Sequence, residues 1–118
     1  MTSRQVGDYL EDILQAVESA VEFVEGMSWE EFQRDKKTIF AVTRAIQIVG
    51  EAAKKVPDSI RSQYREIPWK GMTGMRDKVT HEYFGIDLRV LWDTVQQDLP
   101  PLVGLMQRVI EDWGEEEG

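Results

Sequence analysis

The chain has 118 residues, 42% of them hydrophobic, which suits one domain with a single core. It contains no cysteine, so disulfides, thiolate metal sites and cysteine nucleophiles are excluded. The first residues form no apolar segment of the signal-peptide type, and no apolar run approaches the roughly 20 residues of a membrane span. We therefore expect a soluble protein with no membrane partner, and the absence of cysteine fits a cytoplasmic location.

The net charge of −8 argues at first against a nucleic-acid-binding protein, because phosphate contacts favour positive surface. The charges are unevenly distributed, however. Residues 34–78 contain 11 Lys or Arg against 5 Asp or Glu, whereas the remainder contains 3 against 17. The basic middle segment is either a surface for phosphate or a set of ordinary solvated helix faces.

Hydrophobic periodicity predicts two helices in the first third of the chain. Apolar residues recur every three or four positions over residues 6–24, which indicates an amphipathic helix that ends near Gly26. Ser28 and Glu31 then have the spacing of a capping box, so a short helix is expected from there to Arg34.

A long third helix is expected between Asp35, which can cap its start, and Pro57, which ends it. Gly50 lies inside this helix, where glycine costs about 1 kcal/mol relative to alanine. A close helix crossing or the approach of a partner would explain it. A short turn through Tyr64 follows. The expected inward residues are Ile39, Val42, Ile46, Val49, Ala53 and Val56.

The second half of the chain predicts two more helices. Pro68 suits the first helical position of one that runs toward His81 and is broken by Gly85. Asp87 can cap a final long helix, which the pair Pro100-Pro101 should kink or interrupt. Its expected inward residues are Leu88, Leu91, Val95, Leu99, Leu102, Met106, Val109 and Trp113.

These elements predict an all-α fold with no convincing strand. Short connections between long amphipathic helices favour an up-and-down antiparallel bundle of four to five helices. We expect residues 1–114 to form a single domain and the acidic residues 115–118 to be a frayed tail.

The segment Arg76–Tyr83 reads R-D-K-V-T-H-E-Y and contains the only histidine of the chain. Histidine can transfer protons near neutral pH, and the planar donor fork of arginine can bind a phosphate. One histidine among scattered acids gives no recognisable metal-ligand spacing, so we expect neither a metal site nor a cofactor. Metal-free RNA cleavage remains open, because the 2′-hydroxyl of the substrate can serve as the nucleophile.

The five-residue step from Arg76 to His81 turns about 140° beyond a full circle on a straight helix. The two side chains therefore share no helix face, so either the helix bends or ends between them, or a second chain completes the site. Asp77 is placed to hydrogen-bond His81 at i,i+4 if the helix continues. His81 and Tyr83 approach each other only if the helix unwinds toward Gly85.

A single histidine per chain must serve two proton transfers. A two-fold dimer would bring Arg76 and His81 of both subunits to one seam. The alternative is purely structural. His81 would then cap a helix end, Arg76 and Asp77 would form a surface pair, and Tyr83 would lie at the edge of the core. The spacing of the four tryptophans is typical of packing anchors rather than of a base-stacking platform: Trp29, Trp69, Trp92 and Trp113.

The pattern R-x4-H-x-Y at Arg76, His81 and Tyr83 resembles the signature of the HepT-like ribonuclease toxins of the HEPN superfamily. The pattern alone is weak, but further segments match in family order and extend the resemblance over residues 6–110. These segments are Ile46–Ala52, which ends in Gly-Glu-Ala, the Ile-Pro-Trp segment at 67–69, Tyr83–Asp87 followed by Val90-Leu91-Trp92, and Leu99-Pro100.

The resemblance implies a dimeric HEPN bundle and a metal-independent endoribonuclease that acts on tRNA or mRNA. By position, Arg76 and His81 would be the catalytic pair, with Asp77 supporting them. Tyr83 would be the residue that a partner nucleotidyltransferase antitoxin of the MNT type modifies with AMP. Many family members have Asn where this chain has Asp77, whose charge would either orient its neighbours or quench the positive charge that RNA needs.

Two other functions fit the same resemblance. One is a non-catalytic HEPN partner that binds a nucleotidyltransferase and presents a nucleotide to it or serves as an interaction module. The other is a helical scaffold whose purpose is its own dimer.

Overall fold

The computed structural model describes residues 5–81 and 85–117. Its helices are α1 (Val6–Phe23), α2 (Trp29–Arg34), α3 (Lys36–Lys55), α4 (Asp58–Gln63), α5 (Trp69–Val79), α6 (Leu88–Asp93) and α7 (Pro100–Glu117). A π-helical turn (Thr94–Asp98) joins α6 to α7, and two short strands, β1 (Thr80–His81) and β2 (Gly85–Ile86), follow α5. The all-α class is confirmed.

The long helices pack side by side in the order α5–α3–α1–α7, with α3 in contact with both α1 and α5. The inward stripe predicted for α3 is buried throughout, and so are six of the eight residues predicted for the final segment. Leu88 and Trp113 are only partly buried. The helices enclose one core, whose largest fully buried side chains include Phe32, Leu10, Ile13, Ile46, Met72, Leu91 and Met106.

Three predicted caps are present at the helix starts. Ser28 and Glu31 satisfy each other, with the Glu31 amide donating to the Ser28 Oγ at 3.1 Å and the Ser28 amide donating to the Glu31 carboxylate at 2.9 Å. The Asp35 carboxylate accepts from the Thr38 amide at 3.0 Å, and that bond lowers the pKa of Asp35. Asp87 accepts from the Val90 amide at 3.1 Å and starts α6.

The described residues form seven α-helices, more than the four to five predicted. The segment read as a turn before Tyr64 is the helix α4, and its cap position is occupied by Pro57. The final segment is divided by the π-helical turn immediately before Pro100, which lacks an amide hydrogen and cannot continue a regular ladder. The interruption expected at Pro100-Pro101 is thus confirmed, with α6 and α7 as separate helices.

The helix predicted to run toward His81 ends two residues before it. α5 ends at Val79, and Thr80 and His81 pair antiparallel with Ile86 and Gly85. The Asp87 amide donates to the Val79 carbonyl at 2.8 Å and closes this pairing. Val79 and Thr80 are β-branched and favour extended backbone, which explains the early end. Pro68, expected at the first helical position, lies one residue before the helix.

α7 extends through Glu117 and so includes most of the segment expected to fray. The division into a domain and a tail stays a prediction. Among the described residues, no helix combines the length and the apolar character that a membrane crossing requires.

Candidate active site

The candidate site lies at the C-terminal end of α5. Arg76 is in the last helical turn, with its side chain 48% exposed. His81 follows two residues after the helix end, and its backbone is held in β1 opposite Gly85. α5 thus ends between Arg76 and His81, which is one of the alternatives that the sequence left open. The angle of a straight helix therefore does not set the relative directions of these two residues.

Gly50 of α3 supports the position of Arg76. A β-carbon built at Gly50 would lie 3.5 Å from the Met72 carbonyl oxygen, 3.7 Å from that of Thr73 and 3.9 Å from the Arg76 Cβ. The backbones of α3 and α5 therefore approach closely at this crossing, which is one of the two explanations of Gly50 that the sequence left open. Met72 and Met75 of α5 are buried against the core, so the helix is fixed in rotation with Arg76 at its edge.

We expect Gly50→Leu to destabilise the fold and Gly50→Ala to be tolerated. The alanine methyl group meets its neighbours at ordinary van der Waals distance and improves helix propensity by about 1 kcal/mol. A leucine extends past the Met72 carbonyl and should cost about 1–3 kcal/mol through overpacking. Denaturant unfolding of the two variants measures the difference. Equal unfolding free energies would contradict the close crossing.

Asp77 is the nearest acid to Arg76 along the helix. Its Oδ1 lies 4.0 Å from the Arg76 Nε, and its side chain is 81% exposed. An exposed pair at this distance is weak and screened by salt, so it leaves the guanidinium accessible to phosphate. The hydrogen bond predicted between Asp77 and His81 required both residues to lie in one helix, and α5 ends at Val79.

Tyr83, predicted to be the modified residue, lies outside the described residues. The described residues hold no group of three or more histidine, cysteine or acidic side chains that could bind a metal ion. The described part of the site thus offers an accessible Arg76 guanidinium in the last turn of α5. The backbone of His81 is fixed in β1, five residues later in the sequence.

The tryptophans serve packing, as their spacing predicted. Trp69 is 7% exposed, and its indole Nε1 donates to the Tyr64 carbonyl at 3.0 Å. Trp29 and Trp92 surround the buried Phe32, with ring centroids 5.0–6.4 Å apart. Arg89 stacks on the Trp29 ring at 5.0 Å.

A groove that the sequence did not predict lies on the outer face of α5. Gly71 and Gly74 open this groove, and Lys78 lies at its end near the motif. The signal was present as Gly-x-x-Gly-x-x-x-Lys at helical spacing, but only the packing reveals that this face is uncovered.

Comparisons with known proteins identify the family of the chain. Residues 13–109 match the sequence model of the family described as "Ribonuclease HepT-like". A protein of Thermococcus cleftensis named "Probable ribonuclease HepT" is 50% identical over 102 residues, which cover 86% of this chain and 93% of that protein. A protein of Methanocaldococcus jannaschii, provisionally named as an RNase, is 38% identical over 112 residues and covers 95% of this chain and 93% of its own length.

A third relative, from Caldanaerobacter subterraneus, is also provisionally named as an RNase and is 40% identical over 103 residues, 87% of this chain and 92% of that protein. No solved structure matches the chain. The sequence matches confirm the resemblance and the enzyme class that it implied. The chain belongs to the HepT-like ribonuclease family.

Proposed function

We propose that this protein is the toxin of a toxin–antitoxin pair, a metal-independent endoribonuclease that acts on tRNA or mRNA as a homodimer. A nucleotidyltransferase antitoxin silences it by attaching AMP to Tyr83. The observation that carries the proposal is the accessible Arg76 in the last turn of α5, four residues before the ladder that holds the His81 backbone, in a chain of a ribonuclease family.

The reaction follows from these two side chains. The His81 imidazole removes the proton from the 2′-hydroxyl of the substrate, and the freed oxygen attacks the adjacent phosphorus. The Arg76 guanidinium stabilises the charge that develops on the phosphorane oxygens. The bond to the 5′-oxygen then breaks, and that oxygen takes a proton. The products are a 2′,3′-cyclic phosphate and a 5′-hydroxyl.

The two proton transfers favour a dimeric site. One imidazole acts as base and a second, already protonated, acts as acid, so a two-fold seam supplies both from identical chains. The outer face of α3 is a suitable surface for that seam. Phe40 on this face is 63% exposed, and Phe23, the last residue of α1, is 46% exposed. The other large apolar side chains of the described residues are more covered.

Charge on the same face is self-complementary. Arg44 lies 3.4 Å from Glu51 within one chain, and an antiparallel copy of α3 would place each Arg44 beside the Glu51 of its partner. Glu51 adjoins Gly50 in sequence, and a β-carbon built at Gly50 would lie 3.9 Å from the Arg76 Cβ. A seam along this face therefore lies near the catalytic arginine of each chain.

Cleavage without metal tests the enzymatic part of the proposal. We expect the purified protein to cut single-stranded RNA in excess EDTA and to leave 2′,3′-cyclic phosphate ends, which mass spectrometry of the fragments identifies. Activity that requires a divalent cation, or ends that carry a 5′-phosphate, would contradict this mechanism.

Modification of Tyr83 tests the antitoxin part. AMP adds a negative phosphate and a bulky nucleoside two residues from His81, so RNA should be repelled from the site. On co-expression with a neighbouring nucleotidyltransferase, we expect mass spectrometry to find one or more adenylyl groups on the peptide that contains Tyr83.

Tyr83→Phe is the matched variant for that experiment. It removes the acceptor oxygen and keeps the ring, so RNA cleavage should persist while modification and protection by the antitoxin are lost. Adenylyl groups found only on Tyr9 or Tyr64, the other two tyrosines, would contradict the assignment.

A further inference from the structure

A continuous groove follows the solvent-facing side of α5. It consists of two open cavities, about 480 Å³ beside the start of the helix and about 450 Å³ farther along it, that share Pro68 and Gly71. Residues of the π-helical turn and the start of α7 form its far wall. We call it the α5 groove.

Glycine forms the floor of the α5 groove. A β-carbon at Gly74 would meet nothing within 4 Å, and one at Gly71 would meet only the Pro68 Cβ at 3.8 Å. No packing contact therefore requires glycine at these positions, although each costs helix stability relative to alanine. Their effect is to expose the helix backbone, so that another chain can approach it closely.

Cations line the α5 groove. Arg65 and Lys70 lie at its first cavity and Lys78 at its far end, all three exposed. None of them forms an ion pair with a described residue. The Arg61 guanidinium, in contrast, already donates hydrogen bonds of 2.9–3.2 Å to the carbonyls at the end of α3. Asp98 is the one acid among the described residues that line the groove.

The groove leads to the candidate active site. Lys70 and Lys78 are eight residues apart, or about 12 Å along the helix axis, so they can contact different phosphates of one strand. Lys78 is three residues before His81. The lining offers no exposed aromatic ring among the described residues, since Trp69 is buried and hydrogen-bonded. A ligand here would be held by its backbone charge and not by base stacking.

We propose that the α5 groove holds the single-stranded RNA that leads to the scissile phosphate, with Arg65, Lys70 and Lys78 as phosphate contacts. This inference rests on the proposed ribonuclease function and adds the path of the substrate. It also explains how a protein with a net charge of −8 binds RNA, because Arg65, Lys70 and Lys78 line the groove and Asp98 is the one acid among its described lining residues.

The test compares two variants with the same change of charge. The groove variant carries Arg65→Ala, Lys70→Ala and Lys78→Ala, and the control carries Arg34→Ala, Lys36→Ala and Lys37→Ala at the exposed junction of α2 and α3. The probe is a labelled single-stranded 2′-O-methyl RNA, which has no free 2′-hydroxyl and cannot be cut by the proposed reaction. Fluorescence anisotropy at several salt concentrations gives the affinity, and circular dichroism verifies folding.

We expect the groove variant to bind RNA about 10–100-fold more weakly than the control, with a salt slope smaller by about 2, because three phosphate contacts are lost. On cleavable RNA its KM should rise while its kcat stays near that of the wild type. Equal RNA affinity and equal salt slope in both variants would overturn the proposed RNA path along the groove. If the protein still cleaved RNA, the proposed ribonuclease function would stand. If the wild-type protein never cuts RNA and the groove variant still binds RNA more weakly than the control, the RNA-binding groove would stand and the ribonuclease proposal would be refuted.

An acidic protein partner is the other ligand to which such a groove could bind. If both variants bound RNA equally and only the groove variant failed to bind the purified nucleotidyltransferase, the groove would be a protein-docking surface and the proposed RNA path would be wrong.

Discussion

Replacing His81 with alanine should reduce RNA cleavage at least about 1,000-fold, and Arg76→Ala should have a comparable effect. Removing a general base or acid typically costs 10²–10⁴-fold, and removing a charge that stabilises the transition state costs about 10²–10³-fold. Arg76→Ala should unfold at nearly the wild-type temperature, because the Arg76 side chain is 48% exposed and its pairing with Asp77 is weak. Single-turnover cleavage of a labelled RNA measures the loss.

Two further variants separate chemistry from charge. Arg34→Ala removes an exposed arginine from the end of α2 and should cleave like the wild type. Arg76→Lys keeps the charge but loses the planar fork, so we expect intermediate activity. Full activity in His81→Ala would exclude the proposed mechanism.

Growth on expression extends the same comparison to the rival functions. Arrest by the wild type that disappears in Arg76→Ala and His81→Ala indicates a toxin. Equal growth of all three, together with stable binding to a nucleotidyltransferase, would indicate a non-catalytic HEPN partner that presents a nucleotide or acts as an interaction module.

The helices that the sequence located well are those with complete local signals. α2 and α3 each begin at a side chain that accepts a bond from the amide three residues later, Ser28 and Asp35. The stripe of α3 is buried because its apolar residues already recur at the helical period. In such segments local preference and tertiary packing agree.

The segments that the sequence misplaced depend on distant contacts. α4 is a six-residue helix that is held in place partly by Arg61, whose bonds reach back to the carbonyls of α3. The ladder between β1 and β2 has only two residues per strand, too few for an alternating pattern. Its closing bond joins Asp87 to Val79 across eight residues, which periodicity cannot reveal.

The candidate site was predicted in part. The sequence identified Arg76 and His81 and allowed for a helix end between them, and it linked Gly50 to a close crossing. It did not reveal the α5 groove, because whether Gly71 and Gly74 face solvent or a neighbouring helix is decided by how α7 packs. The catalytic roles of Arg76 and His81, the dimer and the modification of Tyr83 stay predictions.

Mixing the two inactive variants should restore cleavage. If subunits exchange freely, equal amounts of Arg76→Ala and His81→Ala give about half of the dimers as mixed pairs. Such a pair contains one intact arginine and one intact histidine on opposite chains. In a shared site these residues meet, and water replaces the missing imidazole in one proton transfer, so we expect activity at least about tenfold above either variant alone but well below the wild type. Native mass spectrometry of the mixture quantifies the mixed pair.

The mixture also distinguishes a shared site from two independent ones. If each chain cut RNA with its own Arg76 and His81, every chain in the mixed pair would lack one of them and no activity would return. Adding Phe40→Glu to both variants tests the seam itself, because a buried, unpaired carboxylate on the outer face of α3 should prevent pairing and abolish the recovery. Recovery that survives Phe40→Glu would keep the shared site but move the dimer contact to another face. Mixed dimers that form in full and remain inactive would contradict a shared site in which one arginine and one histidine suffice for cleavage.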